Sequence, residues 1–423
     1  MSRRVVVTGM GVLAPNAHGL DAFEQALRDG VSGIRFIEAM AENKFACHVA
    51  GAPQGVDELK EQYLSAEDLM AMNQSMIFTA IAGLDCWRDA GLPEPGIASP
   101  VDWDTGAIIG TGIGGMDTIA EKLIPRVNAG KVRRLGSTLV EQVMSSSVSA
   151  KLGGLLGLGG QVTTNSSACT TGTEAVVDAW INIREGRAKR MMAGGTEAAS
   201  HYIWSGFDAM RVLNRGSNDA PEKASRPMSA SAGGFIPGSG AGFLMLEELN
   251  SAVARGARIY AEVAGGNVNS GGHRGGGSMT APNPEGVVRC VQAALRTAGL
   301  GGHEVDAVNG HLTATFADPK EIANWQKALG VPADEFPLIN STKSMVGHGL
   351  GAAGGIECVA TVLQLHREFI HGSLNCEDLH PEIEPVASSV IHETMPFHGE
   401  VIAKSSFGFG DVNGCVIFKK WSD

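Results

Sequence analysis

The stretch Thr163-Thr-Asn165-Ser-Ser-Ala-Cys169-Thr-Thr-Gly172-Thr-Glu-Ala-Val-Val-Asp-Ala-Trp-Ile-Asn-Ile-Arg184 reads as a strand end, a tight turn and a helix. The turn is built from small hydroxyl residues, and the helix begins at or just after Cys169. Outward from it, short runs of β-branched and aliphatic residues end repeatedly in glycine: RRVVVTGMG, TGAIIGTGIGG, RMMAGGTE, AVNGH and PLINSTKSMVGHG. Helical patterns such as GGIECVATVLQLHREF lie between them. Buried strands alternating with helices indicate α/β layers.

The pieces also recur in order. Strands open near Arg4 to Thr8 and near Arg258 to Ala264. TGAIIGTGIGG in the first half corresponds to VDAVNGHLTAT in the second. The strand, turn and helix of 163–184 correspond to 337–366, and each half closes on a strand and glycine turn, at 191–196 and 401–412. This predicts two similar lobes, residues 1–253 and 254–423, with corresponding strand ends meeting at one cleft. The Ser-, Gly- and Pro-rich segment Asn214 to Gly242 reads as a bracing or functional loop.

Composition narrows the class. The chain has 423 residues, 57 of them glycine, with 43% hydrophobic and 18% charged residues, which fits a large folded core. A net charge of −12 argues against coating nucleic acid or an anionic membrane. Seven cysteines with no C-x-x-C argue against a disulfide framework or zinc ribbon and for a reducing cytoplasm. The opening MSRRVVVTGMGVLAP is interrupted by glycines and a proline, so it reads as a strand and turn rather than a leader. No stretch reaches the length of a membrane span.

Three elements carry the chemistry. Cys169, at a helix start, meets unpaired amides and a positive dipole end that favour the thiolate a nucleophile needs. An inert core cysteine is the competing reading, and the small neighbours, which leave room for a thioester, favour the nucleophile. His311, in Asn309-Gly-His-Leu-Thr-Ala-Thr315, stands at a strand end. His348, in Asn340-Ser-Thr-Lys-Ser-Met-Val-Gly-His348, follows a strand-to-helix turn. Cys, His and His could bind zinc, but the sequence shows neither compact ligand spacing nor a carboxylate motif beside them. The set suits carbon–carbon bond formation from thioesters. The thiolate would take the acyl group, and neutral imidazoles would donate to a malonyl thioester oxygen as carbon dioxide leaves.

Together, S-A-C-T-T-G, N-S-T-K-S-M-V-G-H and S-F-G-F-G (406–410) make the whole chain resemble the elongating 3-oxoacyl-acyl-carrier-protein synthases of the thiolase-fold superfamily. The resemblance implies a thiolase-like α/β fold, duplicated αβαβα lobes with central mixed sheets. It implies Cys169 as nucleophile, with His311 and His348 driving decarboxylation. Lys343 would support the histidines and pair with a carboxylate, Glu321 being the matching position; Glu357 matches a second carboxylate near the site. Phe409, with Phe407 in the same loop, would gate the acyl pocket, and the Phe409 amide would join that of Cys169 as an oxyanion hole. Thr313 and Thr315 would hold the phosphopantetheine arm, and Ile113 would limit pocket depth. No metal and no further cofactor are implied. The implied partners are acyl carrier protein and a second copy of the chain. Carrier docking on an acidic protein calls for a local basic patch, and Lys122, Arg126, Lys131, Arg133 and Arg134 offer one. Starter synthases of the superfamily use Cys-His-Asn and degradative thiolases Cys-His-Cys, so His348 separates this chain from both.

The chain departs from the family at Leu312 and Ala314, where G-H-G-T-S-T is usual. It departs again in Arg226-Pro-Met-Ser-Ala-Ser-Ala-Gly-Gly-Phe-Ile-Pro-Gly-Ser-Gly240, which has lost its acidic residues and second arginine, so neutral packing is expected there. Asp411 stands where a glycine is expected. These changes bear on substrate range. A ketosynthase of a polyketide or polyene pathway is the alternative, and a non-catalytic chain-length partner is disfavoured by Cys169.

Overall fold

Strand β1 (Val5–Ala14) is buried along its whole length, as its run of valines and small residues requires, because strands pair on both edges and helices pack on its faces. The computed structural model describes residues 3–96 and 98–422; the first two residues of the opening stretch lie outside them. The remaining strands of the main sheet are β2 (Thr105–Gly110), β3 (Val162–Thr163), β4 (Arg190–Glu197), β5 (Gly240–Glu248), β6 (Ala261–Ser270), β7 (Ala307–Asn309), β8 (Leu338–Asn340), β9 (Val401–Gly408) and β10 (Val412–Lys420). Their order is β8-β7-β9-β10-β6-β1-β5-β4-β2-β3, with a two-residue strand, Ala17–His18, added on β1.

That order is symmetric about the β6–β1 junction. β1, β5, β4, β2 and β3 answer to β6, β10, β9, β7 and β8, and the pairing directions match strand for strand. The recurrence read from sequence is therefore present in the sheet. The halves join through short antiparallel pairing, Val6 with Glu262 and Val7 with Ala261.

Helices α1 (Gln74–Asp89) and α2 (Ser147–Leu156) cover the outer face of the first half. Helices α4 (Pro284–Ala298) and α5 (Asp318–Leu329) cover that of the second. Between the halves run α3 (Thr171–Arg184) and α6 (Ala353–His366), packed on each other and on strands of both. The layers are thus αβαβα, as expected. Nearly every residue of α6 is buried, so its apolar side chains need no solvent face. The two central helices approach through glycine: a Cβ on Gly172 would lie 2.4 Å from the Gly355 nitrogen. That contact brings the N-terminal ends of α3 and α6, and the turns preceding them, to one place.

Candidate active site

Cys169 sits in a single 3-10 turn, Ala168–Thr170, between β3 and α3. Ala168 is held at φ 51°, a left-handed conformation that costs a non-glycine residue energy and presents the next side chain on an elbow. The β9–β10 end closes on this turn. Thr170 Oγ1 donates to the Val412 carbonyl at 3.0 Å, and the Thr173 and Ser406 hydroxyls bond at 2.9 Å. A Cβ on Gly408 would meet Thr170 Oγ1 at 2.8 Å, so only glycine admits this approach. Cys169 is 7% exposed. Burial pushes its thiol up to about 11, against the pull of the Phe409 amide, the charge of Lys343 and its own amide. The resting sulfur therefore keeps its proton at neutral pH. This corrects the expectation of a standing thiolate: desolvation outweighs the helix end.

The sulfur and one ring nitrogen each of His311 and His348 lie within 4.8 Å of one another, all three residues buried. The imidazoles meet edge to face, centroids 5.3 Å apart and planes at 85°. Two carboxylates on the first turn of α5 hold the His311 loop by its main chain. Glu321 accepts the amides of His311 at 2.6 Å and Leu312 at 2.8 Å, and Asp318 those of Thr313 at 2.9 Å and Ala314 at 3.0 Å. These bonds stabilise Leu312 at φ 21° and Ala314 at φ 62°, which explains how the loop dispenses with the family's glycine. His348 is clasped by the 226–240 segment: its amide donates to Ile236 at 2.7 Å, and its carbonyl accepts from Gly238 at 2.7 Å. Its Nδ1 accepts the Leu350 amide at 3.2 Å. A ring nitrogen that accepts a hydrogen bond carries no proton, so the neutral ring bears its hydrogen on Nε2. That tautomer donates to an oxygen and is mismatched to ligating a metal through Nε2. Burial first, then the charges of Lys343 and Lys404, keep both imidazoles well below the usual histidine range, hence neutral.

Lys343 pairs with Glu357 through Oε1, not with Glu321. Glu321 is spent on the His311 loop, and burial pushes it up to about 7, against the Leu312 amide. The expected Lys343–Glu321 pair is corrected to Lys343–Glu357. A second lysine, Lys404, reaches the same carboxylate, its Nζ 2.6 Å from Oε2. Sequence reasoning missed it, although a single charge in the otherwise neutral strand VIAKSSFG was a visible signal.

The remaining candidates fall into three groups. Phe407 lies edge-on to His311 at 6.2 Å, and Phe409 lies 6.0 Å from Phe207, which touches Phe235 beside His348. The Thr313 and Thr315 hydroxyls are 3.1 Å apart and half-buried. Ile113 is exposed on a turn whose amides bond the buried Glu197, and the Gly112 carbonyl of that turn accepts from Ser166 Oγ at 3.2 Å, three residues before Cys169. Lys122, Lys131, Arg133 and Arg134 are exposed, whereas Arg126 donates to the Arg134 carbonyl and so braces its own turn. The 226–240 segment is not wholly neutral: Arg226 pairs with Glu377 at 3.1 Å and Asp378 at 3.0 Å. Beside it a cleft of about 840 Å³, lined by Arg211, Arg215 and Lys223 among others, borders the segment whose Gly234 bonds Ala314. Asp411 sits buried at φ 59°, accepting the amides of His273 at 2.9 Å and Asn283 at 2.7 Å.

Two family models match the chain. "Beta-ketoacyl synthase, N-terminal domain" matches residues 2–252, and "Beta-ketoacyl synthase, C-terminal domain" residues 260–377. The chain is 37% identical over 422 residues to 3-oxoacyl-[acyl-carrier-protein] synthase 2 of Vibrio harveyi, covering 99% of both. It is 35% identical to the chloroplastic 3-oxoacyl-[acyl-carrier-protein] synthase I of Arabidopsis thaliana, covering 98% of this chain and 86% of that one. A beta-ketoacyl synthase crystal structure from Burkholderia phymatum STM815 superposes with TM-score 0.91 at 29% identity, covering 99% of this chain and all of the other. The type II polyketide assembly AntDE:AntF, an acyl-carrier protein in complex with its ketosynthase, gives 0.87 at 26% identity with full coverage of both chains.

Proposed function

The chain belongs to the beta-ketoacyl synthase family, and from that premise we propose the residue roles by which it works as an elongating 3-oxoacyl-acyl-carrier-protein synthase, an acyltransferase of fatty acid biosynthesis. Cys169 attacks the acyl thioester, and its proton passes to His311. His311 is the ring free to take it: its Nδ1 has no partner among the described residues, whereas accepting at Nε2 of His348 would cost the Leu350 bond. The proton leaves with the carrier thiol, and the acyl group stays on Cys169.

The malonyl thioester then loses its carboxylate as carbon dioxide. The bonding pair moves to the thioester oxygen, where Nε2–H of His348 and the His311 ring donate to the forming enolate. The enolate carbon attacks the acyl-Cys169 carbonyl, whose oxygen turns toward the amides of Cys169 and Phe409. Collapse expels the Cys169 sulfur as thiolate and releases the 3-oxoacyl carrier; the thiolate then takes up one proton from solution, the proton that the net reaction consumes. Burial of all three side chains keeps water from both intermediates. The observation carrying this reading is the grouping of one thiol with two neutral imidazoles inside 4.8 Å.

The finer roles follow. Phe409 and Phe407 gate the pocket, Thr313 and Thr315 hold the phosphopantetheine arm, and Glu321, Glu357 and Lys343 position the histidines. The reaction needs no further cofactor, since substrates arrive on the carrier's phosphopantetheine. The protein works in the cytoplasm, which suits seven free cysteines, and among the described residues no helix is long and apolar enough to cross a membrane. It forms a homodimer, supported by exposed Ile113, Ile124, Val127, Val132 and Val140 on one segment. Carrier docking uses Arg126, Lys131, Arg133 and Arg134. The two halves, 1–253 and 254–423, derive from one duplicated unit. Mass spectrometry tests the core claim: acyl carrier should add its acyl mass to Cys169, and malonyl carrier should then yield the 3-oxoacyl product. An unmodified Cys169 would sink it.

A further inference from the structure

We propose that Lys404 is a positioning residue for this condensation, an internal cation that fixes Glu357 from behind and so holds Lys343 toward the Cys-His-His set. The inference rests on the reaction proposed above. Lys404 is fully buried in the middle of β9, in register with Asn309, two residues before His311. Among the described residues its polar partners are three oxygens: Glu357 Oε2 at 2.6 Å, Ser406 Oγ at 2.9 Å and the Ser405 carbonyl. The Glu357 contact is electrostatic rather than an aligned hydrogen bond, since Oε2 receives none.

A fully buried ammonium is costly unless paired, and an apolar side chain would fill the same space more cheaply. Glu357 would be neutralised by Lys343 alone. Two lysines on one carboxylate leave one cation more than Glu357 offsets, an excess that the partly ionised Glu321 reduces. The charged and titratable groups facing this cluster are Lys343, Glu357 on α6, Glu321 on α5, His311, His348, His371, and the thiols Cys169, Cys358 and Cys415. Excess positive charge there disfavours imidazolium and attracts the negative charge that grows during decarboxylation. Removing Lys404 should therefore raise the pH at which acid silences the histidines.

Lys404→Met, neutral and close in volume, tests this in the full-length enzyme beside Lys404→Ala. Acyl transfer to Cys169 should persist, while kcat for condensation falls about tenfold with KM for malonyl carrier within about twofold. The acid limb of the rate profile should move up by about one pH unit. In Lys404→Ala, which leaves the Glu357, Ser405 and Ser406 oxygens without their cation, ethylammonium should restore much of the rate, and tetramethylammonium at equal ionic strength should not. Unchanged kcat and pH profile in Lys404→Met would overturn the proposal. So would parallel loss of acylation and condensation in a variant that melts like wild type. Wild-type enzyme that never acylates would instead bring down the reaction itself.

Discussion

At Cys169 two influences compete, and burial wins: the thiol sits at a helix start yet rises to about 11 because water is excluded. Iodoacetamide alkylation of Cys169 should therefore accelerate with pH past 9 and level only near 11, read by mass spectrometry of the peptide. Cys169→Ala should abolish condensation. His348→Ala should slow decarboxylation by about 100-fold while self-acylation remains measurable, and normal carbon dioxide release would contradict its role. Both imidazoles must be neutral to donate without titrating. Because burial and Lys343 hold them well below 6.5, malonyl decarboxylation should persist as pH falls through 6.5 and fail only further into acid. A stopped assay for carbon dioxide between about pH 5 and 8 checks the sign.

Among elements, the joint between β9 and β10 governs how firmly the proposed Phe407–Phe409 gate is held. Asp411 takes a left-handed backbone there and ties the 271–283 loop by two amide bonds, while the Gly410 amide donates to the Met279 carbonyl at 2.9 Å. Asp411→Gly keeps the backbone conformation but strands both amides. It should cost about 2 kcal/mol in denaturant unfolding and speed hydrogen exchange at 273 and 283. The crossing of α3 and α6 is equally demanding. Gly172→Ala would force a Cβ against the Gly355 nitrogen and should destabilise by about 2 kcal/mol or more, read as a lowered Tm.

For the whole molecule, an acidic chain whose family resemblance implies an acidic carrier must concentrate its positive charge. Reversing Arg133 and Arg134 to Glu should raise KM for carrier-bound substrate about tenfold at low salt, and less at high salt. Turnover of a short acyl-pantetheine should be unchanged. Much of this was legible in one dimension. Strand runs ending in glycine, and their recurrence, were enough for α/β layers in two similar lobes, because strand and helix periodicities are local and survive in any folded context, while the αβαβα order came from the family resemblance. Cys169, His311 and His348 were equally legible, because each sits at a strand end or turn where topology brings such ends together. Which carboxylate meets which lysine was not. Glu321 and Glu357 lie on different helices, and only the packing of α6 beneath the site assigns Glu357 to Lys343 and leaves Glu321 to the His311 amides. Nor could sequence show that Lys404 points inward, or that desolvation outweighs the helix end at Cys169. Chain order determined the elements and the thiol and two imidazoles that meet between them; side-chain pairing and proton affinity were decided by tertiary structure, because both depend on distance and on the exclusion of water.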